Sequence, residues 1–151
     1  MTERDDLVGI ANFLAQTRLL STLAFNQLLF LAANVATYQC NAGDTIFRKD
    51  DEGSRLFIVR SGSVKIGLAD TELATMYPGD IFGELSVLDG KPRSADAIAL
   101  EPVQALVLER DQFVSFLRSH PDAAVRILEV VASRLRRTDK LLEEAVFSKN
   151  A

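Results

Sequence analysis

One cysteine and one histidine remove several classes of chemistry before any motif is read. Cys40 alone cannot close a disulfide within the chain or supply a cysteine cluster for zinc or iron–sulfur. His120 alone excludes a multi-histidine metal site, and a Ser-His-Asp triad would have to be built on it. His120 stands directly before Pro121, where the plain reading is a solvated flank of a helix. Cys40 closes a short β-like run (Ala36-Thr37-Tyr38-Gln39-Cys40) and reads as a small strand residue, not a nucleophile. No apolar run approaches the roughly 20 residues of a membrane span, so no membrane partner is expected. The opening Met1-Thr2-Glu3-Arg4-Asp5-Asp6 lacks the basic start and apolar core of a signal peptide. Excess positive charge is missing as well: 17 Lys and Arg face 21 Asp and Glu, a net charge of −4. That balance argues against a surface built to neutralise DNA phosphates. A cytoplasmic protein is the expectation.

What remains is an ordinary globular composition, with 48% hydrophobic and 25% charged residues in a chain of 151. That length makes one domain, residues 1–151, with a real core. Three zones follow one another. In residues 1–34 apolar positions recur at helical spacing (Leu7, Ile10, Ala11, Leu14, then Leu28, Leu29, Leu31, Ala32). A break at Leu20-Ser21-Thr22-Leu23 predicts two helices, with Ser21 or Thr22 as cap. In residues 35–109 short apolar or alternating runs (45–48, 56–60, 63–68, 73–76, 95–99 and 103–108) alternate with turn signals such as Gly43-Asp44, Ser61-Gly62, Ala69-Asp70 and Pro78-Gly79-Asp80. Many short strands at such spacing predict an antiparallel β-barrel or jelly roll. Residues 110–147 return to helix: a short one over 110–118, then a long one opened by Pro121. The fold class is mainly β with flanking helices.

One segment interrupts the barrel pattern, residues 82–99, and its first fourteen positions carry the chemistry. Ile81-Phe82 reads as a brief strand, Gly83 opens a single helical turn over 84–88, and the chain loops at Asp89-Gly90-Lys91-Pro92 into a strand carrying Arg93 and Ser94. Gly83, without a Cβ, lets the backbone approach a ligand, and N–H groups opening a helical turn attract an anion. Arg93 offers a planar fork of donors matched to two phosphate oxygens, with the Ser94 hydroxyl beside it. Glu84 would repel a phosphate, but its carboxylate can accept a hydrogen bond from a ribose 2′-hydroxyl. One anion grip with one sugar acceptor describes a nucleotide with a single phosphate. The competing reading is a Glu84–Arg93 ion pair that only braces the loop.

This segment resembles the phosphate-binding cassette of cyclic-nucleotide-binding domains, found in bacterial transcription activators and in kinase regulatory subunits. Ala42-Gly43-Asp44-Thr45-Ile46-Phe47 and the run from Leu56 to Val64 resemble the early strands of that family. The likeness covers residues 10–147. It implies that Glu84 holds the ribose 2′-hydroxyl and that Arg93 and Ser94 hold the cyclic phosphate of cyclic AMP or cyclic GMP. Gly83 and Leu85 would supply the backbone edge, and Phe82, Ser86 and Ala95 complete the cassette. Arg93 followed by Ser94 is closer to the bacterial activators than to the kinase branch.

Along the last helix Leu128, Val131, Leu135, Thr138, Leu142 and Ala145 form a heptad seam suited to a homodimer, while Ile127, Val130 and Leu141 are expected on the chain's own barrel. The resemblance makes this helix a lid whose Thr138 contacts the base. The next position is Asp139, where the activators carry Ser. A carboxylate only accepts hydrogen bonds, and guanine's N1–H and N2 amino group offer two side by side, so Asp139 opens the choice between cyclic AMP and cyclic GMP. Its bland alternative is a solvated residue beside Arg136. Arg134, Arg136 and Arg137 read as a solvated face. No helix-turn-helix follows residue 147, so no DNA contact is expected and the output would be ligand-dependent contact with an unidentified downstream protein. Weighed against this sensor, which is not an enzyme and needs no metal, are a ligand-free structural dimer, a metal-dependent jelly-roll enzyme and a fragment of a transcription regulator.

Overall fold

Leu56-Phe57-Ile58-Val59 is apolar at every position, where a strand with one wet face would alternate. Both of its faces are covered. The computed structural model describes residues 3–69 and 71–150, and among these the side chains of all but 3–5, 138 and 147–150. Two helices, α1 (Glu3–Leu14) and α2 (Phe25–Ala32), lead into β1 (Ala36–Cys40), β2 (Thr45–Phe47), β3 (Arg55–Ser61), β4 (Val64–Leu68), β5 (Thr71–Met76) and β6 (Ile81–Phe82). A short α3 (Glu84–Asp89) precedes β7 (Asp96–Ala99) and β8 (Val103–Glu109), and the chain ends in α4 (Arg110–Ser119) and α5 (Pro121–Asn150). The strands form two four-stranded antiparallel sheets, β1-β8-β3-β6 and β2-β7-β4-β5. This is the predicted jelly roll with flanking helices.

The period of two divides β3 and β8 between two cores. Phe57 and Val59 join Ala105, Val107, Val64 and Phe82 inside the barrel, where Phe57 and Phe82 stack with centroids 5.1 Å apart. Leu56 and Ile58 point the other way with Leu106 and Leu108, under a helical layer that includes Leu14, Leu28, Phe113, Phe116 and Ile127. A one-residue slip in the pairing of Ile58 with Leu106 would exchange the two sets, so the register is strongly specified. Each such side chain contributes roughly 1.5–3 kcal/mol of burial.

Several expectations are corrected. The break between the first helices runs from Ala15 to Ala24, and neither Ser21 nor Thr22 caps α2. Ala24 holds that place, with the Gln27 Oε1 accepting its N–H at 3.0 Å. Arg93 and Ser94 precede β7 instead of lying in it, because the Arg93 backbone is bonded to the 50–51 loop. His120 is half-buried, not solvated: its ring stacks on Phe116 at 4.6 Å and its Nδ1 lies 3.0 Å from the Phe116 carbonyl oxygen. Asp70, expected in a turn, lies outside the described residues.

α5 divides along its length. Its root is fixed by buried Ile127, by the Gln27 amide donating to Asp122 at 3.2 Å, and by the Arg126 guanidinium donating to the Thr22 carbonyl at 2.6 Å. Val130 packs on the same layer as expected, and so does Val131, which the heptad reading had placed in a dimer seam. Leu141, expected on the barrel, is exposed instead, well beyond Val131, the last described α5 residue that packs on the core layer. Leu128, Leu135 and Leu142 all face outward, Leu135 being 62% exposed.

Candidate functional site

A cavity of about 470 Å³ opens between β4–β5, the turn from β6 into α3, the stretch from Arg93 to Ala95, and α5. Its size falls in the range of small-molecule sites. Phe82, Gly83, Glu84, Leu85, Ser86, Arg93, Ser94 and Ala95 all line it, so the structure gathers the predicted cassette into one place. Phe82, Ser86, Arg93 and Ala95 are buried, whereas Leu85 and Ser94 are exposed.

Gly83 sits at a left-handed φ of 79° and turns the chain from β6 into α3. A Cβ there would lie 2.7 Å from Arg93 Nη1 and 3.1 Å from the Arg55 carbonyl oxygen, so glycine is required for both dihedral and space. The cassette helix closes on Gly90, also left-handed, and the Arg110 Nε–H donates to the Val87 carbonyl at 2.9 Å, tying α3 to the start of α4.

Arg93 is the centre of the arrangement. It is 5% exposed, and its backbone is clamped by two 2.8 Å bonds, its N–H to the Asp51 carbonyl and its carbonyl from the Asp50 N–H. Nη1 donates to the Gly83 carbonyl at 2.8 Å and Nη2 to the Arg55 carbonyl at 2.6 Å. The Phe47 ring lies 4.1 Å from the guanidinium carbon. The predicted alternative of a Glu84–Arg93 ion pair gives way to these carbonyl bonds, and Glu84 instead meets Arg134 of α5 at 3.6 Å. Nε of Arg93 is buried without a hydrogen-bond partner. Burial, and after it the Arg55 charge, lower the Arg93 pKa, while Glu84 and Asp51 act against that shift. A buried cation with a spare donor, whose desolvation the two nearby carboxylates do not offset, is suited to an anion.

Burial holds the Glu84 carboxyl above the ordinary glutamate range, and its own backbone N–H, Arg134 and Arg93 offset only part of this. The folded state therefore binds this proton more tightly than the unfolded chain does. Stability associated with Glu84 is full below the ordinary range and is lost as pH rises through the raised value. We expect Glu84→Gln to flatten that part of the stability–pH profile and to melt no lower than the parent at neutral pH. A lower melting temperature at pH 7 would show that the carboxylate's contacts, the backbone N–H and Arg134 together, outweigh the desolvation.

Nine lining residues lie outside the set that the sequence predicts, among them Arg18, Phe47, Met76, Asp80, Arg134 and Arg137. The spacing of Arg134 and Arg137, one helical turn apart, was the available signal for a shared face. Gly53 was missed too. A Cβ at 53 would lie 2.5 Å from Ser86 Cβ and 2.7 Å from Arg93 Nε, yet in sequence it passes for one more turn glycine. The Thr138 side chain lies outside the described residues, and Asp139 is exposed on α5 and does not line the cavity of this chain. Cys40 lies at the end of β1, far along the sheet from the cassette, half-buried with its thiol pKa raised by burial. Among the described residues no cluster of His, Cys, Asp and Glu could hold a metal ion, and no helix is long and apolar enough to cross a membrane.

Comparison with known proteins agrees with this geometry. A family model described as the cyclic nucleotide-binding domain matches residues 38–120. A CRP-like cAMP-activated global transcriptional regulator of Mycobacterium tuberculosis is 38% identical over 111 residues, covering 70% of this chain and 50% of that protein. The cyclic AMP receptor protein of Thermus thermophilus is 37% identical over 106 residues, covering 67% of this chain and 49% of its own. The chain thus spans about half the length of these curated relatives. The crystal structure of the N-terminal domain of a transcriptional regulator from Streptomyces coelicolor superposes with a TM-score of 0.73 at 33% identity, covering 86% of this chain and 94% of that one.

Proposed function

The chain belongs to the cyclic nucleotide-binding domain family, and from that membership we propose that it is a cyclic-nucleotide sensor holding its ligand in the cavity around Arg93. The observation that supports this most is the caged guanidinium with its unpartnered, buried Nε–H. A cyclic phosphate would supply both the acceptor and the negative charge that this donor lacks. In this reading Ser94 adds a hydroxyl to the phosphate, and the backbone at Gly83 and Leu85 forms the edge on which it rests. Glu84 accepts from the ribose 2′-hydroxyl, and the Phe82, Ser86 and Ala95 walls exclude water. Every group in this reading binds or orients the ligand, which makes the role of this domain regulatory.

A ligand of about 22 heavy atoms at roughly 0.3 kcal/mol each binds with about −7 kcal/mol, near 10 μM. At about 1 mM cyclic AMP or cyclic GMP the folded state then gains about 2.7 kcal/mol, which raises Tm by roughly 5–10 °C in a domain of this size. A melting curve unmoved by either nucleotide would contradict the assignment.

The signal leaves through α5. Leu128, Leu135 and Leu142 form an outward apolar stripe above the anchored root, and pairing of two copies along it would cover that stripe. A second copy would also bring its α5 near the cavity, where Thr138 and Asp139 of the pair can meet the base. Leu135→Asp is expected to halve the mass measured by sedimentation equilibrium. A parent protein that already sediments as a monomer would contradict the pairing. A second reading, that the chain is the sensor portion of a transcription regulator, is favoured by its 33% identity to the N-terminal domain of such a regulator. In either case the downstream contact is made by whatever the helical layer touches when the ligand is bound.

A further inference from the structure

The cavity offers few groups that could distinguish one base from another, and the lining carboxylate of Asp80 already accepts the Tyr77 N–H at 2.8 Å within its own turn. Its β4–β5 wall is Ile66, Ala74 and Met76, which provide apolar contact and no strong hydrogen-bonding atom. On the α5 side the described lining residues are Arg134 and Arg137. Arg134 is engaged with the Glu84 carboxylate, at what would be the ribose. Asp139, the acceptor that the sequence offers for guanine's N1–H and N2 amino edge, is exposed and does not line this chain's cavity. Arg18 enters from the connector after α1, whose next residues, Leu19 and Leu20, pack beside Ile81 near the entrance to α3 and not against β4–β5.

We propose that Arg137 reads the base and gives the site a preference for guanine over adenine. This rests on the cyclic-nucleotide reading above and names the base within it. A guanidinium carries only donors, arranged as a rigid fork. Guanine presents O6 and N7 as adjacent acceptors matched to that fork, whereas adenine places its N6 amino donors beside N7 and leaves one arm facing a like group. Arg137 is exposed on α5 one turn from Arg134 and lines the cavity on the wall facing β4–β5, while the Glu84 carboxylate is met by Arg134.

The test is a calorimetric titration of the full chain with cyclic GMP and cyclic AMP, repeated on Arg137→Ala, Arg137→Lys and Arg18→Ala. The parent is expected to bind cyclic GMP at least tenfold more tightly, the lower part of the range for one bidentate base contact. Arg137→Ala should abolish that preference by weakening cyclic GMP alone. Arg137→Lys, which keeps the charge and loses the fork, should abolish most of it. Equal weakening of both nucleotides by Arg137→Ala would mean that Arg137 acts only through its charge, and would overturn the inference while leaving the site assignment standing. Loss of the preference in Arg18→Ala alone, or a parent that prefers cyclic AMP, would overturn it as well. A parent that binds neither nucleotide would remove the site assignment and the inference together. Because residue 137 is exposed, unchanged melting curves of the variants separate these outcomes from misfolding.

Discussion

Arg93→Ala is expected to weaken cyclic-nucleotide binding by roughly 2–4 kcal/mol, about 30-fold to 1,000-fold, the scale for removing one partner of a buried charge pair. The cage around Arg93 explains why its neighbours cannot replace it. Two of its donors are spent on the Gly83 and Arg55 carbonyls, which fix the plane of the guanidinium, and Nε–H is left pointing at no protein acceptor. Removing the side chain therefore deletes the anion's partner and also strands two carbonyls that shape the cassette. Arg93→Lys separates the two effects. It keeps a cation but cannot bridge both carbonyls and still present a donor, so most of the loss should persist. Parent-like affinity in either variant, measured by calorimetry, would move the phosphate elsewhere.

The second large effect is expected at a residue outside the cassette. Gly53→Ala places a methyl group 2.5 Å from Ser86 Cβ and 2.7 Å from Arg93 Nε. Neither neighbour can retreat easily. Ser86 is buried in α3, and Arg93 is held at both its backbone and its guanidinium. The overpacking should destabilise the fold by roughly 1–3 kcal/mol. It should also cost at least tenfold in affinity, since relief of the clash requires the guanidinium to turn away from the cavity. A variant that melts like the parent and binds like it would show that the 50–53 loop yields without disturbing Arg93.

These two residues also mark how far the sequence could be read. Arg93 was legible because its neighbours in sequence, Gly83, Glu84 and Ser94, are also its neighbours in space. Gly53 was not, because its role depends on a contact with a residue 40 positions later, and no local spacing encodes that. The same distinction runs through the fold. The jelly roll followed from turn residues at regular intervals, and the unbroken apolar run of β3 followed from coverage on both faces. Ala24 as the α2 cap could not be read from propensity, since the hydrogen bond comes from Gln27 three residues on. At His120 only half of the contact is distant: Phe116 lies one helical turn back in α4, but Phe30, which meets the same ring at 5.7 Å, belongs to α2. On α5 the heptad pattern grouped Val131 with Leu128, Leu135 and Leu142, of which only the three leucines face outward. Periodicity cannot say how far along the helix the tertiary partners reach, and here they cover Val131 but not Leu141.

The most direct measurement of the central claim is an isothermal titration of the chain with cyclic AMP and cyclic GMP, set against the corresponding 5′-monophosphates. Saturable binding of at least one cyclic nucleotide at about 10 μM or tighter is expected. The open-chain phosphates should bind at least tenfold more weakly, because the Arg93 cage is shaped for a phosphate held close to its own ribose. No heat with either cyclic nucleotide, or equal affinity for the open and cyclic forms, would contradict it.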